Sequence, residues 1–527
     1  MRARMQEALK ITANVYLVLI LLFLPLYVQD GYVLIGNAKY CFFRNVTLFF
    51  MLVTAVMLAV MAAGREEGNG RHKLSGTDVM VLCYGGSAVL SWCFSADRHM
   101  AMWGAPGWYM GLLSHLMFVW IYFMVSRWYD GSEGILWAFY VGAAVVAALG
   151  ILNRYVFDPL SMFEGLEEWD REHLLSTIGN PNWYCGYISV ALPVCICLAC
   201  MEGKVRRAAG LFGSLLFFWT VLTQGSEGGY LILLAEMTIF LFWSLDCRRK
   251  VLAFVRVAVC CPLAVFLGRY CIRFRGLILV EDGTLAGLLF RKGWGVVLLF
   301  LGILYVLLWI REQRDCRDRL ESGRIKKYAL WAAAVLFVSG AAVFLVCQTW
   351  EGARSFPGER SLLCIDDSWG SGRGALWRMG MGTFLQGNFL EKWVGVGPDC
   401  FSNAVYALYP VNDIIHPTGK WETALYANAH NEWLNMLVNQ GILGLLFYMG
   451  IFGTGFVRLW KCGRENVRAL LGLLAVAGYC AYGVVSFQQT VSTPLMFAVL
   501  GISEAMLREK NQQNPNQTSR ENQQNPK

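Results

Sequence analysis

Residues 430–444 read HNEWLNMLVNQGILG: a His-Asn pair, nine residues, then Gly441 and Gly444. The run stands where a long polar segment passes into an apolar helix, the kind of junction that a membrane surface makes. A histidine at that water edge is expected to keep a resting pKa near neutrality. His430 is therefore suited to taking a proton from a hydroxyl group. One segment thus carries both a fold expectation and a chemical one.

Outward from this junction the whole chain reads as membrane protein. Of its 527 residues, 56% are hydrophobic and only 16% charged, with a mean hydropathy of +0.45. Soluble domains carry roughly a quarter of their residues charged. Long apolar runs recur, each able to cross about 30 Å of hydrocarbon at about 1.5 Å per residue. Spans are expected at 11–29, 46–63, 77–95, 107–126, 133–152, 184–201, 208–224, 228–245, 251–268, 293–310, 328–347, 441–457, 469–487 and 493–507. That makes 14, with 12 as the alternative count and 269–292 the most ambiguous stretch. The expected fold class is all-α, a polytopic transmembrane helical bundle with a large outer loop subdomain. It divides into N-terminal helices (1–152), central helices with a GNPN loop (153–347), the outer loop (348–440), C-terminal helices (441–507) and a disordered cytoplasmic tail (508–527).

Charge sets the expected orientation. With these spans, 28 of the 45 Lys and Arg residues fall on the side that holds both termini. Cytoplasmic loops favour Lys and Arg, so both termini are placed inside and the two longest loops outside. The net charge of +8 is explained the same way and calls for no nucleic-acid partner. The first apolar run is not followed by a small-residue cleavage site and reads as a retained helix. Most of the 17 cysteines fall in spans or cytoplasmic loops, where they behave as small apolar residues. Cys364 and Cys400 share the outer loop and are candidates for pairing.

The candidate chemistry gathers in the outer loops. The larger one holds Trp350, Trp369, Trp377, Trp393, Trp421 and Trp433. Such aromatics can stack on sugar rings or form an interfacial belt. SGRGALWRMGMGTF (371–384) predicts a short helix on which Arg373, Trp377 and Met381 share a face while Arg378 does not. The guanidinium of Arg373 can hold a pair of phosphate oxygens, or it can pair with Asp366 or Asp367. GNPN (179–182) is a turn entering a span, with Asn182 and Trp183 free to meet a ligand and helix capping as the simpler role. GVGPDCF (395–401) is another turn, and Asp399 is its residue with chemical potential. In TQGSEGGYLILLAEM (223–237), Ser226 and Glu227 suit a helix start. Glu236 falls near mid-bilayer, where a carboxyl is usually paired or faces water. No Walker loop, dinucleotide fingerprint, zinc spacing or Asp-x-Asp pair is present, so no cofactor or metal is expected.

Taken in order, GNPN (179–182), SEGGYL (226–231), SGRGALW (371–377) with GVGPD (395–399), and HN-x9-GILG (430–444) resemble the O-antigen ligase/polymerase family. The resemblance covers most of the chain and is most specific in the last motif. It implies a metal-independent membrane glycosyltransferase in the bacterial cytoplasmic membrane. The implied donor is an undecaprenyl-pyrophosphate-linked glycan, and the acceptor is a glycan, a lipid or a cell-wall polymer. It further implies that His430 acts as base or positions the acceptor, and that Arg373 and Arg378 hold the pyrophosphate. Asn431, Asn182, Trp377 and Asp399 are the remaining expected substrate contacts. One departure stands out: Ser226-Glu227-Gly228 replaces the Ser-Arg-Gly usual in ligases of this family, so that either the missing cation comes from elsewhere, with Arg273, Arg275 and Arg378 as candidates, or the substrate geometry differs. The alternative expectation is a lipid-linked-oligosaccharide flippase, for which charge spread through central helices and symmetric internal repeats would be the signature.

Overall fold

A computed structural model describes residues 2–63, 74–272, 294–314, 367, 369–409, 427–463 and 466–524. Among them the chain is helical, with no strand and one isolated bridge between Leu175 and Gly179. The helices are α1 (Arg2–Val18), continued through a π-helical turn at Leu19–Phe23 into α2 (Leu24–Leu26), α3 (Ile35–Ala63), α4 (Gly76–Phe94), α5 (Arg98–Trp103), α6 (Leu112–Trp128) and α7 (Glu133–Arg154). Then come α8 (Glu168–His173), α9 (Pro181–Cys200), α10 (Lys204–Thr223), α11 (Gly228–Ser244), α12 (Arg248–Ala258), α13 (Cys260–Ile272) and α14 (Trp294–Arg314). The last group is α15 (Trp369–Gln386), α16 (Phe389–Val394), α17 (Phe401–Leu408), α18 (Glu432–Gly463), α19 (Arg468–Val485) and α20 (Thr493–Gln524). Among the described residues, nine helices are long and apolar enough to cross a membrane, and three shorter apolar ones lie at Leu112–Trp128, Gly228–Ser244 and Gly295–Arg311. The protein is an all-α polytopic membrane protein.

Helix α9 lies at the centre. Its sequence PNWYCGYISVALPVCICLAC is apolar or small on every side, as a helix enclosed by neighbours must be, and nearly all of it is buried. Helices α7, α10, α11 and α19 pack around it. Gly210 and Gly213 allow α10 to lie against the α9 backbone near Cys195 and Ala199. Local capping starts several helices: Ser75 and Asp78 form a reciprocal box at α4, and the Asn180 side chain caps α9 ahead of Pro181.

Ion pairs collect at one end of the bundle. Asp78 at the start of α4 accepts from Arg127 at the end of α6 (3.2 Å) and from Arg508 of α20. Glu504 joins Arg508 (3.2 Å) and Arg458 of α18. Glu133 at the start of α7 binds Arg206 (2.8 Å) and Arg468 (3.1 Å). These pairs bring helix starts and helix ends to the same level, as alternating transmembrane passes require. The loops 95–111, 174–180, 224–227 and 486–492 then share the opposite end with α15–α17.

The helices differ from the sequence expectations in their bounds. Helix α3 begins at Ile35 rather than 46, and α18 begins at Glu432, nine residues before the expected span. Helix α20 is assigned over Thr493–Gln524 and so runs past the expected span at 493–507. The expected span at 328–347, Arg273, Arg275, Cys364, Trp350 and Trp421 lie outside the described residues. Cys400 is a buried thiol set against the Ser95 hydroxyl at 3.7 Å. Glu236 is enclosed against Gly478 of α19, and neither of its oxygens has a hydrogen-bond partner among the described residues.

Candidate functional site

The site begins with a break in α18. Gly441 adopts φ +67°, a conformation that costs L side chains energy, and a Cβ there would run into the backbone of Trp393 and Val394. The break frees carbonyls that a straight helix would satisfy itself. Val396 N–H donates to the Val438 carbonyl (3.1 Å) and Gly397 N–H to the Asn439 carbonyl (3.0 Å), which also accepts from Ser91 Oγ (2.6 Å). The first half of α18 thereby leaves the bundle and docks on the outer helices, where Leu434 and Val438 pack with Leu376, Met379, Phe401 and Val405. The spacing of the HN-x9-G motif thus has a physical basis: a docked segment of fixed length between His430 and the kink.

At the head of that segment, His430 sits in the left-handed region at φ +47°. Asn428 Oδ1 accepts its N–H at 3.1 Å. Asn431 Oδ1 accepts the Leu434 N–H at 3.0 Å and caps the helix. The Phe487 ring meets the His430 imidazole edge-on, 4.9 Å between centroids. Burial, and secondarily the Arg373 guanidinium, push the His430 pKa down to about 3. The sequence expectation of a near-neutral pKa is therefore corrected downward, because the half-buried ring is desolvated and has a cation for a neighbour. These surroundings favour the neutral imidazole.

Arg373 points inward from α15. Its Nη1 donates to the Gly370 carbonyl at 3.0 Å, while Nε is buried and has no acceptor among the described residues. Burial lowers its pKa from the ordinary value, opposed by Cys185, Glu227 and Tyr482, all within electrostatic reach. Residues from α9, from the turn before α11 and from α19 therefore surround one guanidinium. Ser226 Oγ donates to Asn182 Oδ1 at 2.8 Å, joining the SEGG and GNPN motifs. Glu227, exposed on that turn, stands near Arg373 where the resemblance would place a second cation.

Three other expected contacts are placed differently. Arg378 is exposed on another face of α15 and gives a two-pronged ion pair to Asp367, with Nε–Oδ1 2.9 Å and Nη2–Oδ2 2.8 Å. That carboxylate holds its pKa up within a solvent-exposed pair. Asp399 is buried, at φ +59°, and its Oδ2 accepts from the Ala105 (2.7 Å) and Met110 (3.0 Å) N–H groups. It clasps the loop between α5 and α6 to the turn after α16, a structural role that its loop position in sequence concealed. Burial raises its pKa to about 7 against the pull of the two N–H bonds. Trp377 is half-buried beside Trp369 (5.1 Å), with no acceptor for its Nε1–H among the described residues.

Sequence reasoning also missed positioning residues. Arg154, wholly buried at the end of α7, donates from Nη2 to the Gln224 carbonyl at 2.7 Å and so holds the turn that carries Ser226 and Glu227. Its signal was an arginine closing an apolar span. Beneath the site, His115 bridges the Tyr84 hydroxyl (2.5 Å) and the Gln440 amide (3.1 Å), and Gln488 reaches Tyr84 (3.3 Å) and Glu432. This chain ties loop 486–492 to α18 and sets Phe487 against His430.

Residues 277–449, which include Arg373, Asp399 and His430, match the family model described as O-antigen ligase. No curated protein matches the chain.

Proposed function

We propose, from the premise that the chain is a member of the O-antigen ligase/polymerase family, that it transfers glycan from a lipid-linked pyrophosphate donor to a hydroxyl acceptor at the outer face of the cytoplasmic membrane. The observation that carries this reading is that His430 and Arg373, 57 residues apart in sequence, lie within electrostatic reach of each other at one end of the bundle.

In this reaction the acceptor oxygen attacks the anomeric carbon of the donor sugar. The new carbon–oxygen bond forms as the bond to the pyrophosphate oxygen breaks. The acceptor proton goes to His430, and the electron pair leaves with the pyrophosphate. A neutral imidazole is already in the form that accepts a proton. Burial and the Arg373 guanidinium together make it a weak base, and the second, smaller cause is the one that a bound donor relieves. When an anionic pyrophosphate meets Arg373, the cation that depresses His430 is offset, and the imidazole binds its proton more tightly. The planar donors of Arg373 suit paired phosphate oxygens, and charge leaving toward them is stabilised away from water. Glu227 faces the same guanidinium and limits its positive field, so the donor is held mainly through Arg373.

The test is transfer by purified protein given lipid-linked donor and acceptor. His430→Gln should lose product while retaining donor binding, because Gln hydrogen-bonds without serving as a base. Near-normal product from that variant would remove His430 from the chemistry.

A further inference from the structure

A second concave feature adjoins the site. A shallow, partly open cleft lies between the outer ends of α3, α9 and loops 104–111 and 486–492. Its walls include Trp108 and Trp183, and its floor includes Gly36 and Gly107. The two indoles meet edge to face, 5.7 Å between centroids and 74° between planes, and both are half-buried. Gly36 makes room for this arrangement, since a Cβ there would come within 3.0 Å of the Trp183 ring.

Of the polar residues lining the cleft, Lys39, Gln488, Gln489 and Thr490, two decide what it can hold. Gln489 is 4% exposed, and neither its Oε1 nor its Nε2 has a hydrogen-bond partner among the described residues. A buried carboxamide with both ends unsatisfied costs free energy unless water or a ligand completes it, and it offers one acceptor and two donors side by side. Lys39 also lines the cleft, which would suggest an anion. Its ammonium, however, already donates to the carbonyls of Leu24 (3.2 Å), Pro25 (3.0 Å) and Tyr27 (2.9 Å), which uses all three of its donors. An aromatic wall, an unsatisfied amide and a spent cation together describe a neutral polyhydroxylated ring.

Resting on the proposed transfer reaction, we infer that this cleft is a subsite for a pyranose ring of the acceptor glycan, stacked on Trp108 or Trp183 with two adjacent hydroxyls on the Gln489 amide. Phe487 connects it to the reaction centre, 4.9 Å from the His430 ring on one side and 4.9 Å from Trp108 on the other. The ring held here is therefore a neighbour of the one whose hydroxyl reacts, and the cleft selects the acceptor without touching the donor pyrophosphate.

The probe is lipid-free oligosaccharide released by mild acid from the envelope of the cell that makes the protein. It is presented to protein in nanodiscs and read by saturation-transfer NMR. Saturation of pyranose ring protons is expected in the wild type and in His430→Gln, and should survive an excess of inorganic pyrophosphate. Gln489→Leu should weaken it by about an order of magnitude, as the loss of one or two hydrogen bonds does. That variant removes an unsatisfied buried amide and should fold, and Trp108→Ala gives a second reading of the same subsite. No saturation in the wild type, undiminished saturation in Gln489→Leu, or displacement by pyrophosphate each overturns the assignment. Normal transfer by His430→Gln would instead sink the reaction proposed above while leaving the binding result intact.

Discussion

The pairing of His430 with Arg373 makes a quantitative claim about pH. In the free enzyme the His430 pKa lies near 3, so between pH 7.5 and 5 its neutral fraction barely changes. A histidine at the ordinary value of about 6.5 would lose about 30-fold of its neutral form over the same interval. The apparent kcat/KM for donor, which reports the free enzyme, should accordingly fall by less than about twofold from pH 7.5 to 5. The kcat profile reports the loaded enzyme, in which the donor phosphates offset Arg373. Its acid limb should lie at higher pH than that of kcat/KM. In Arg373→Gln the limb of kcat/KM should move up from pH 3 but stay below 6.5, since burial is the larger cause of the depression and remains. His430→Gln should lie lower at every pH by about 10²–10⁴, the usual worth of a general base. The assay is radiolabelled product formation by protein in nanodiscs, with thermal stability checked at each pH. A wild-type kcat/KM that drops about 30-fold with a midpoint near 6.5 would refute the reasoning, because it would mean an exposed histidine without a cationic neighbour.

Four further outcomes can be checked directly. Arg373→Ala should raise the donor KM by about 10- to 150-fold, the loss of a hydrogen bond to a charged group, and Arg373→Lys should restore only part of it. Asp399 has a folded-state pKa near 7 against 3.8 when exposed, so its contribution to stability is present below pH 3.8 and lost as pH rises through about 7. Asp399→Asn keeps the acceptor and tolerates the left-handed backbone, so it should flatten that part of the Tm–pH curve, whereas Asp399→Ala strands two buried N–H groups at about 1–3 kcal/mol each and should lower Tm or yield. Gly441→Ala should abolish assembly or transfer, seen as loss of monodisperse protein or of product; wild-type behaviour would show that α18 does not need its kink. A cysteine at Gln386 in a Cys-depleted chain should react with an impermeant thiol reagent on intact cells, and labelling only after lysis would place the site on the wrong side of the membrane.

Much of this protein was legible in its sequence, because the features concerned are local. Apolar runs of span length depend only on composition, and a membrane permits a helical reading of them almost without competition. The helix carrying Arg373 and Trp377 followed from spacing, and His430 stood out by its junction between loop and apolar helix. Tertiary structure alone decided which residues face which. Arg373 and Arg378 are five positions apart, yet one turns toward His430 and the other is spent on Asp367, since rotation of α15 is set by packing against α17 and α18. Asp399 reads as a loop carboxylate, and its burial depends on backbone N–H groups nearly 300 residues away. The depressed pKa of His430, the clasp of Arg154 on Gln224 and the unsatisfied amide of Gln489 likewise arise from neighbours far along the chain. Pattern along a chain reports what each segment can form, while desolvation and charge depend on what the remaining segments bring to it.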